Sequence, residues 1–161
     1  MESDRILVAA QEGDVQVLRT LRGRVLSAKD SFGASALHHA ARNGQLECVK
    51  WLVDILGMTG QEKAKNGASP LHDAASAGQL GCVEYLIKHA KVPVDQTDHS
   101  GHTALHLAVR FGSFDTVKWL LTKGGGNANS KTRNRMNAIH FAVAGDSLAC
   151  LKLLFSNTYF R

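Results

Sequence analysis

Apolar positions along the chain come in short runs that return in register rather than forming one continuous stripe. Leu37, Leu71, Leu105 and Ile139 are each followed by a histidine, His38, His72, His106 and His140, at a constant spacing of 34 residues. Ala40, Ala74, Ala108 and Ala142 keep that interval, as do Leu46, Leu80, Phe114 and Leu148. Val49, Val83, Val117 and Leu151, and then Leu52, Leu86, Leu120 and Leu154, complete the frame. Self-similarity at a period of roughly 20–50 residues marks a stack of repeats, each burying its apolar face against the next.

Each period predicts two helices. Ser35, Ser69, Thr103 and Asn137 stand where an N-cap side chain can hold an orphan backbone N–H. Pro70 falls at the next position, where a missing N–H costs nothing. A short Ala-rich helix then runs to Gly44, Gly78 or Gly112, where glycine supplies a left-handed C-terminal turn. A second helix carries V-x-x-L, with apolar residues facing one side. Asp30–Gly33 and Asp98–Gly101 predict tight turns between units. The expected units are residues 2–29, 30–63, 64–97, 98–131 and 132–161. The first lacks the Leu-His pair, and its Gly13 lies 31 rather than 34 residues before Gly44, as an N-terminal capping repeat would. In the last, Arg135 replaces the turn glycine and Gly145-Asp146 replace Phe111-Gly112. The expectation is that the chain forms the N-terminal part of a longer array.

The stretches GASPLHDAASAGQLGCVEYLIKHA (67–90) and GHTALHLAVRFGSFDTVKWLL (101–121) resemble the ankyrin repeat almost position by position. That resemblance covers nearly the whole chain. It implies an all-α ankyrin-repeat solenoid of about five stacked helix-turn-helix units joined by β-hairpin-like turns. More narrowly, LVAAQEGDVQVLRTL (7–21), HDAA (72–75), LHLAVRFG (105–112) and GGGN (124–127) are similar to the N-terminal ankyrin repeats of the espin and forked scaffolds. The resemblance implies a protein-binding scaffold of the actin-bundle cytoskeleton that holds the tail of a class III myosin. A small ankyrin inhibitor of cyclin-dependent kinases is the alternative reading.

Composition narrows the field further. No apolar run approaches the ~20 residues of a membrane span, and the acidic start MESDRILVAAQEGD is unlike a secretory signal, so a cytoplasmic protein that binds no membrane is expected. The net charge of +5 is uneven. Residues 1–98 hold 11 Lys or Arg against 12 Asp or Glu, whereas residues 99–161 hold 8 against 2. A basic second half suits an acidic partner. It lacks interleaved exposed aromatics or a nucleic-acid-binding motif, so no nucleic acid is expected.

Candidate chemistry reduces to lattice positions. Cys48, Cys82 and Cys150 share one repeat position, too far apart in a stack for disulfides, and read as buried reduced thiols. His99, His102 and His106 lack a third ligand at zinc spacing. Gly124–Gly126 lacks the Lys-Ser/Thr of a phosphate loop and reads as a helix C-cap. Trp51, Tyr85 and Trp119 read as packing between units. No catalysis, cofactor or metal is therefore expected, and a monomer is. The resemblance implies that the hairpin tips and the exposed ends of the first helices line a concave groove. Those positions are Phe32, Arg42, Asn43, Asn66, Ser76, His99, His102, Arg110, Phe111, Arg133, Asn134 and Met136, with Ser31, Lys65, Ser100 and Ala144 beside them. Lys131, Arg133 and Arg135 alternate and would share a face in an extended hairpin. The partner segment is expected to be an acidic peptide with apolar anchors. The resemblance implies that the repeat histidines His38, His72, His106 and His140 hydrogen-bond backbone in neighbouring turns.

Overall fold

The computed structural model describes residues 1–159, so the last two residues of the fifth unit lie outside the described residues. Its helices pair along the chain. They are α1 (Glu2–Glu12) with α2 (Val15–Thr20) and α3 (Arg22–Val25), α4 (Ala36–Arg42) with α5 (Leu46–Lys50), and α6 (Pro70–Ser76) with α7 (Leu80–Lys88). Then come α8 (Ala104–Arg110) with α9 (Phe114–Thr122) and α10 (Ala138–Ala144) with α11 (Leu148–Tyr159). The end of α5 widens into a π-helical turn over Trp51–Ile55. The inner helices α1, α4, α6, α8 and α10 stack in order, and α5, α7, α9 and α11 form a second layer behind them. The result is an all-α solenoid.

Seven-residue helices such as α4, α6, α8 and α10 are too short to persist alone in water. Stacking sustains them, and small side chains let the inner helices approach closely. Ala36, Ala40, Ala41, Ala74, Ala75, Ala104 and Ala108 are all fully buried. Leu37, Leu71 and Leu105 and then Leu52, Leu86, Leu120 and Leu154 fill the space between layers, each at most 1% exposed.

The repeat histidines tie cap to stack. Nδ1 of His38, His72 and His106 accepts the backbone N–H of Ser35, Ser69 and Thr103, each at 3.1 Å. A neutral ring must then carry its proton on Nε2. That nitrogen donates to the carbonyls of Ala68 (3.0 Å), His102 (2.9 Å) and Ser130 (2.9 Å) in the following turn. His140 departs from the expected role. Its Nδ1 accepts from Asn137 N–H at 3.1 Å, but the ring is exposed and its Nε2 meets no following turn among the described residues.

A second ladder runs along the hairpin tips. The N–H groups of Lys65, His99 and Arg133 donate to the carbonyls of Phe32, Asn66 and Ser100 at 2.9, 3.0 and 3.0 Å. Glycine is required beside this ladder. Gly101 has φ 81°, and a Cβ there would lie 2.8 Å from Arg133 N. Arg135 takes the same left-handed conformation at φ 62° while exposed. The turn it closes, with Arg135 N–H on Thr132 O at 2.9 Å, overturns the expected common face of Lys131, Arg133 and Arg135, because alternation holds only in extended chain.

The second helices end alike. N–H of Met58, Val92 and Gly126 reaches back six residues to the carbonyls of Leu52, Leu86 and Leu120 (3.0, 3.0 and 2.8 Å), with Gly57, Lys91 and Gly125 left-handed. Gly124–Gly126 is thus the helix closure expected of it. Trp51, Tyr85 and Trp119 are buried, with Tyr85 Oη donating to Asp54 of the preceding pair and Lys88 Nζ 5.3 Å from the Trp119 ring. Cys48, Cys82 and Cys150 are buried free thiols, and burial pushes Cys48 and Cys82 up to about 11.

Two outcomes follow. Leu86→Ala or Leu120→Ala should cost about 2–5 kcal/mol in chemical denaturation, as a truncation in a filled interior; an unchanged midpoint would place the register elsewhere. Burial holds His38, His72 and His106 below their ordinary 6.5. Between those lowered values and 6.5 the unfolded chain binds more protons, so stability is complete above about pH 6.5 and falls as the pH drops below it. Asp30 and Asp98 act only lower. Burial alone would raise them, but turn N–H groups and His39 or His102 hold them below 3.8. Melting temperature should therefore decline from about pH 7 to pH 5, with a shallower slope in His72→Gln.

Candidate functional site

The hairpin tips and the C-terminal ends of the inner helices face the same side of the stack and leave cavities at two of the junctions between pairs. The larger, about 430 Å³, lies between α8 and α10 and the turns before them. Arg110, Phe111 and His102 line one wall, and Asn134, Met136 and Phe141 the other, with Ser100, Thr132, Ala144 and Gly145 closing it. The smaller, about 290 Å³, lies between α4 and α6 and is lined by Asp30, Phe32, Arg42, Lys65, Asn66 and Asp73 around three alanines.

Local rules place each group. In the larger cavity, Asp98 accepts the N–H groups of Ser100 and His102 at 2.9 Å each and meets His102 Nδ1 at 3.0 Å. This Asx-type turn fixes the imidazole, whose ring meets Phe141 edge-on at 5.4 Å. Phe141 also contacts His106, at 5.2 Å, so the apolar wall rests directly on the stacking histidine. Arg110 ends α8, and its guanidinium lies 5.8 Å from the Phe111 ring, which is 60% exposed. An exposed aromatic beside an exposed arginine is the pairing that recurs where proteins recognise one another. In the smaller cavity, Arg42 Nη2 donates to Asp73 Oδ1 at 2.8 Å, and Phe32 stands 74% exposed at the hairpin tip.

Of the residues the sequence pointed to, the structure gathers His102, Arg110, Phe111, Asn134 and Met136 in one cavity and Phe32, Arg42 and Asn66 in the other. Four line neither. Asn43 Nδ2 donates to His39 O (2.9 Å) and Ser76 Oγ to Asp73 O (3.0 Å), so both serve their own helices. His99 and Arg133 join the tip ladder through their backbone and hold exposed side chains at the rim. Asp73 and Phe141 were missed. Both sit at the lattice position of Leu107, and an acid within an otherwise apolar inner helix was a signal for Asp73.

Gly145 was also missed. The expected shift of the turn glycine does not move the turn, because Asp146 keeps the left-handed conformation (φ 51°) while Gly145 has φ −87°. Close approach explains the glycine, since a Cβ there would lie 2.4 Å from the Arg110 carbonyl oxygen. Gly145→Val should accordingly cost about 1–3 kcal/mol by overpacking and widen the gap between α8 and α10. A substitution that left the denaturation midpoint unmoved would mean that the two helix ends are not in contact.

Among the described residues no helix is long and apolar enough to cross a membrane, and no three His, Cys, Asp or Glu side chains gather as a metal site. A family model for ankyrin repeats in three copies matches residues 6–98 and 90–160. The espin-like protein of Homo sapiens is 45% identical over 69 residues, which is 41% of this chain and 7% of that protein. The espin-like protein of Mus musculus is 41% identical over the same extent. The matched stretch thus spans only a small part of these relatives' length.

Proposed function

The chain belongs to the ankyrin-repeat family, and on that premise we propose that it is a protein-binding module that holds an extended segment of a partner along its concave face, without catalysis. One observation carries the reading. The side chains that vary from unit to unit, including Arg110, Phe111, Asn134 and Met136, converge on one open cavity, while the invariant positions are consumed by the stack. Exposed aromatics with no packing role in the stack supply anchors, and arginines on rigid helix ends supply charge at low ordering cost. The likeness to espin-like proteins makes the tail of a class III myosin the first partner to test, and an actin-bundle association the cellular setting.

The test is a labelled class III myosin tail peptide titrated with the chain by fluorescence anisotropy, at two salt concentrations. Arg110→Glu with Arg133→Glu should weaken binding by an order of magnitude or more and flatten its salt dependence, with the melting temperature unchanged. An affinity untouched by both reversals would remove the electrostatic part of the reading. A myosin peptide that fails to bind while a cyclin-dependent kinase is retained would move the partner to the inhibitor class.

A further inference from the structure

The two cavities occupy equivalent places in the lattice and differ in chemistry. Arg42 and Arg110 stand two periods apart, as do Asp73 and Phe141. In the smaller cavity the arginine is neutralised by the acid of the next inner helix, at 2.8 Å. In the larger one Phe141 takes that acid's place, and Arg110 has no carboxylate partner among the described residues. The nearby Asp98 is turned toward its own loop, with its oxygens on the N–H groups of Ser100 and His102 and on the His102 ring. No acid lines this cavity. Two further exchanges build an apolar wall beside the guanidinium, Asn43 becoming Phe111 and Ala68 becoming Met136, while the hairpin-tip Phe32 becomes Ser100 and Ala34 becomes His102.

From this we infer that the α8–α10 cavity is the specificity-determining subsite of the concave face. It takes a partner segment with an Asp or Glu carboxylate on Arg110 and a bulky apolar side chain, aromatic or long aliphatic, among Phe111, Met136 and Phe141. The inference rests on the peptide-binding reading above. A planar guanidinium already lying near an aromatic ring is positioned for bidentate contact with a carboxylate. The basic surplus of residues 99–161 draws an acidic segment to this end of the stack rather than to the other. The α4–α6 cavity carries two carboxylates, Asp30 and Asp73, the latter neutralising Arg42, and its remaining cation, Lys65, is a point charge without the planar fork that seats a carboxylate bidentately.

The experiment pans a random dodecamer phage library on the intact chain and measures the best peptide by fluorescence anisotropy. Selected peptides should carry an acid within a few residues of Phe, Leu or Met. Replacing that acid by its amide should weaken binding to the wild type by roughly tenfold and binding to Arg110→Gln hardly at all, with Arg110→Lys in between. Arg110 is exposed, so these variants should keep the wild-type melting temperature. An equal loss on the wild type and on Arg110→Gln overturns the assignment of the acid to Arg110. Enrichment of peptides lacking acids sinks the subsite while leaving the concave-face reading intact, and no enrichment at all sinks both. A labelled single-stranded oligonucleotide that bound more tightly than the peptides and depended on Arg110 would overturn the choice of a protein ligand.

Discussion

The imidazole bridge between units is the interaction on which the architecture depends. One ring closes the N-terminus of its own short helix through Nδ1 and reaches the next turn through Nε2, so local capping and stacking use a single side chain. Neither half suffices alone. A seven-residue helix is marginal without its cap, and a hairpin turn without a partner would leave a carbonyl unsatisfied in a nearly dry interior. Coupling them in one buried, neutral ring makes each unit's order conditional on its neighbour's, which is how a chain of individually unstable pieces becomes cooperative. The tip ladder from Phe32 to Lys65, Asn66 to His99 and Ser100 to Arg133 repeats that logic in backbone groups.

This division leaves side chains free. On α4, α6 and α8 the leucine, histidine and most of the alanines are committed to packing, whereas side chains at the helix end and at the hairpin tip, such as Arg42, Arg110 and Phe32, are exposed. Side chains placed there rest on a scaffold whose positions are set by other residues. His102 is an intermediate case, since its ring is oriented by Asp98 and packed on Phe141 yet still faces the cavity.

Most of the fold was legible because it is written in periodic positions. The 34-residue frame located the helix pairs, the caps Ser35, Ser69, Thr103 and Asn137, and the left-handed glycines, since each depends on residues close in the chain. What escaped depends on pairs between units. Arg42 meets Asp73 across 31 residues, an offset that is not the repeat period, so comparing equivalent positions never brings the two together. Gly145 answers to the Arg110 carbonyl of the preceding pair, again a cross-unit contact without a local signature. The alternation of Lys131, Arg133 and Arg135 gives no common face for a related reason, because alternation belongs to extended chain and a turn closes here between Thr132 and Arg135. The candidate positions come from the resemblance, and which of them share a cavity and which, such as Asn43 and Ser76, serve their own helices is visible only in the stack.

The exchange of Asp73 for Phe141 also shows why ligand chemistry can vary along a stack without unravelling it. Arg42 is 58% exposed in its pair with Asp73, whose own side chain is only 11% exposed, so removing the acid leaves the cation in water rather than stranded in the interior. Losing the acid therefore costs the fold little, while an aromatic at the same position gains contacts with His102 and His106. The freed guanidinium remains in water and carries no desolvation penalty until a ligand arrives. Stability and recognition thus trade at unequal rates here. A substitution nearly neutral for the solenoid changes one groove from self-satisfied to charged, and repeats held together by other residues can each take a different side of that exchange.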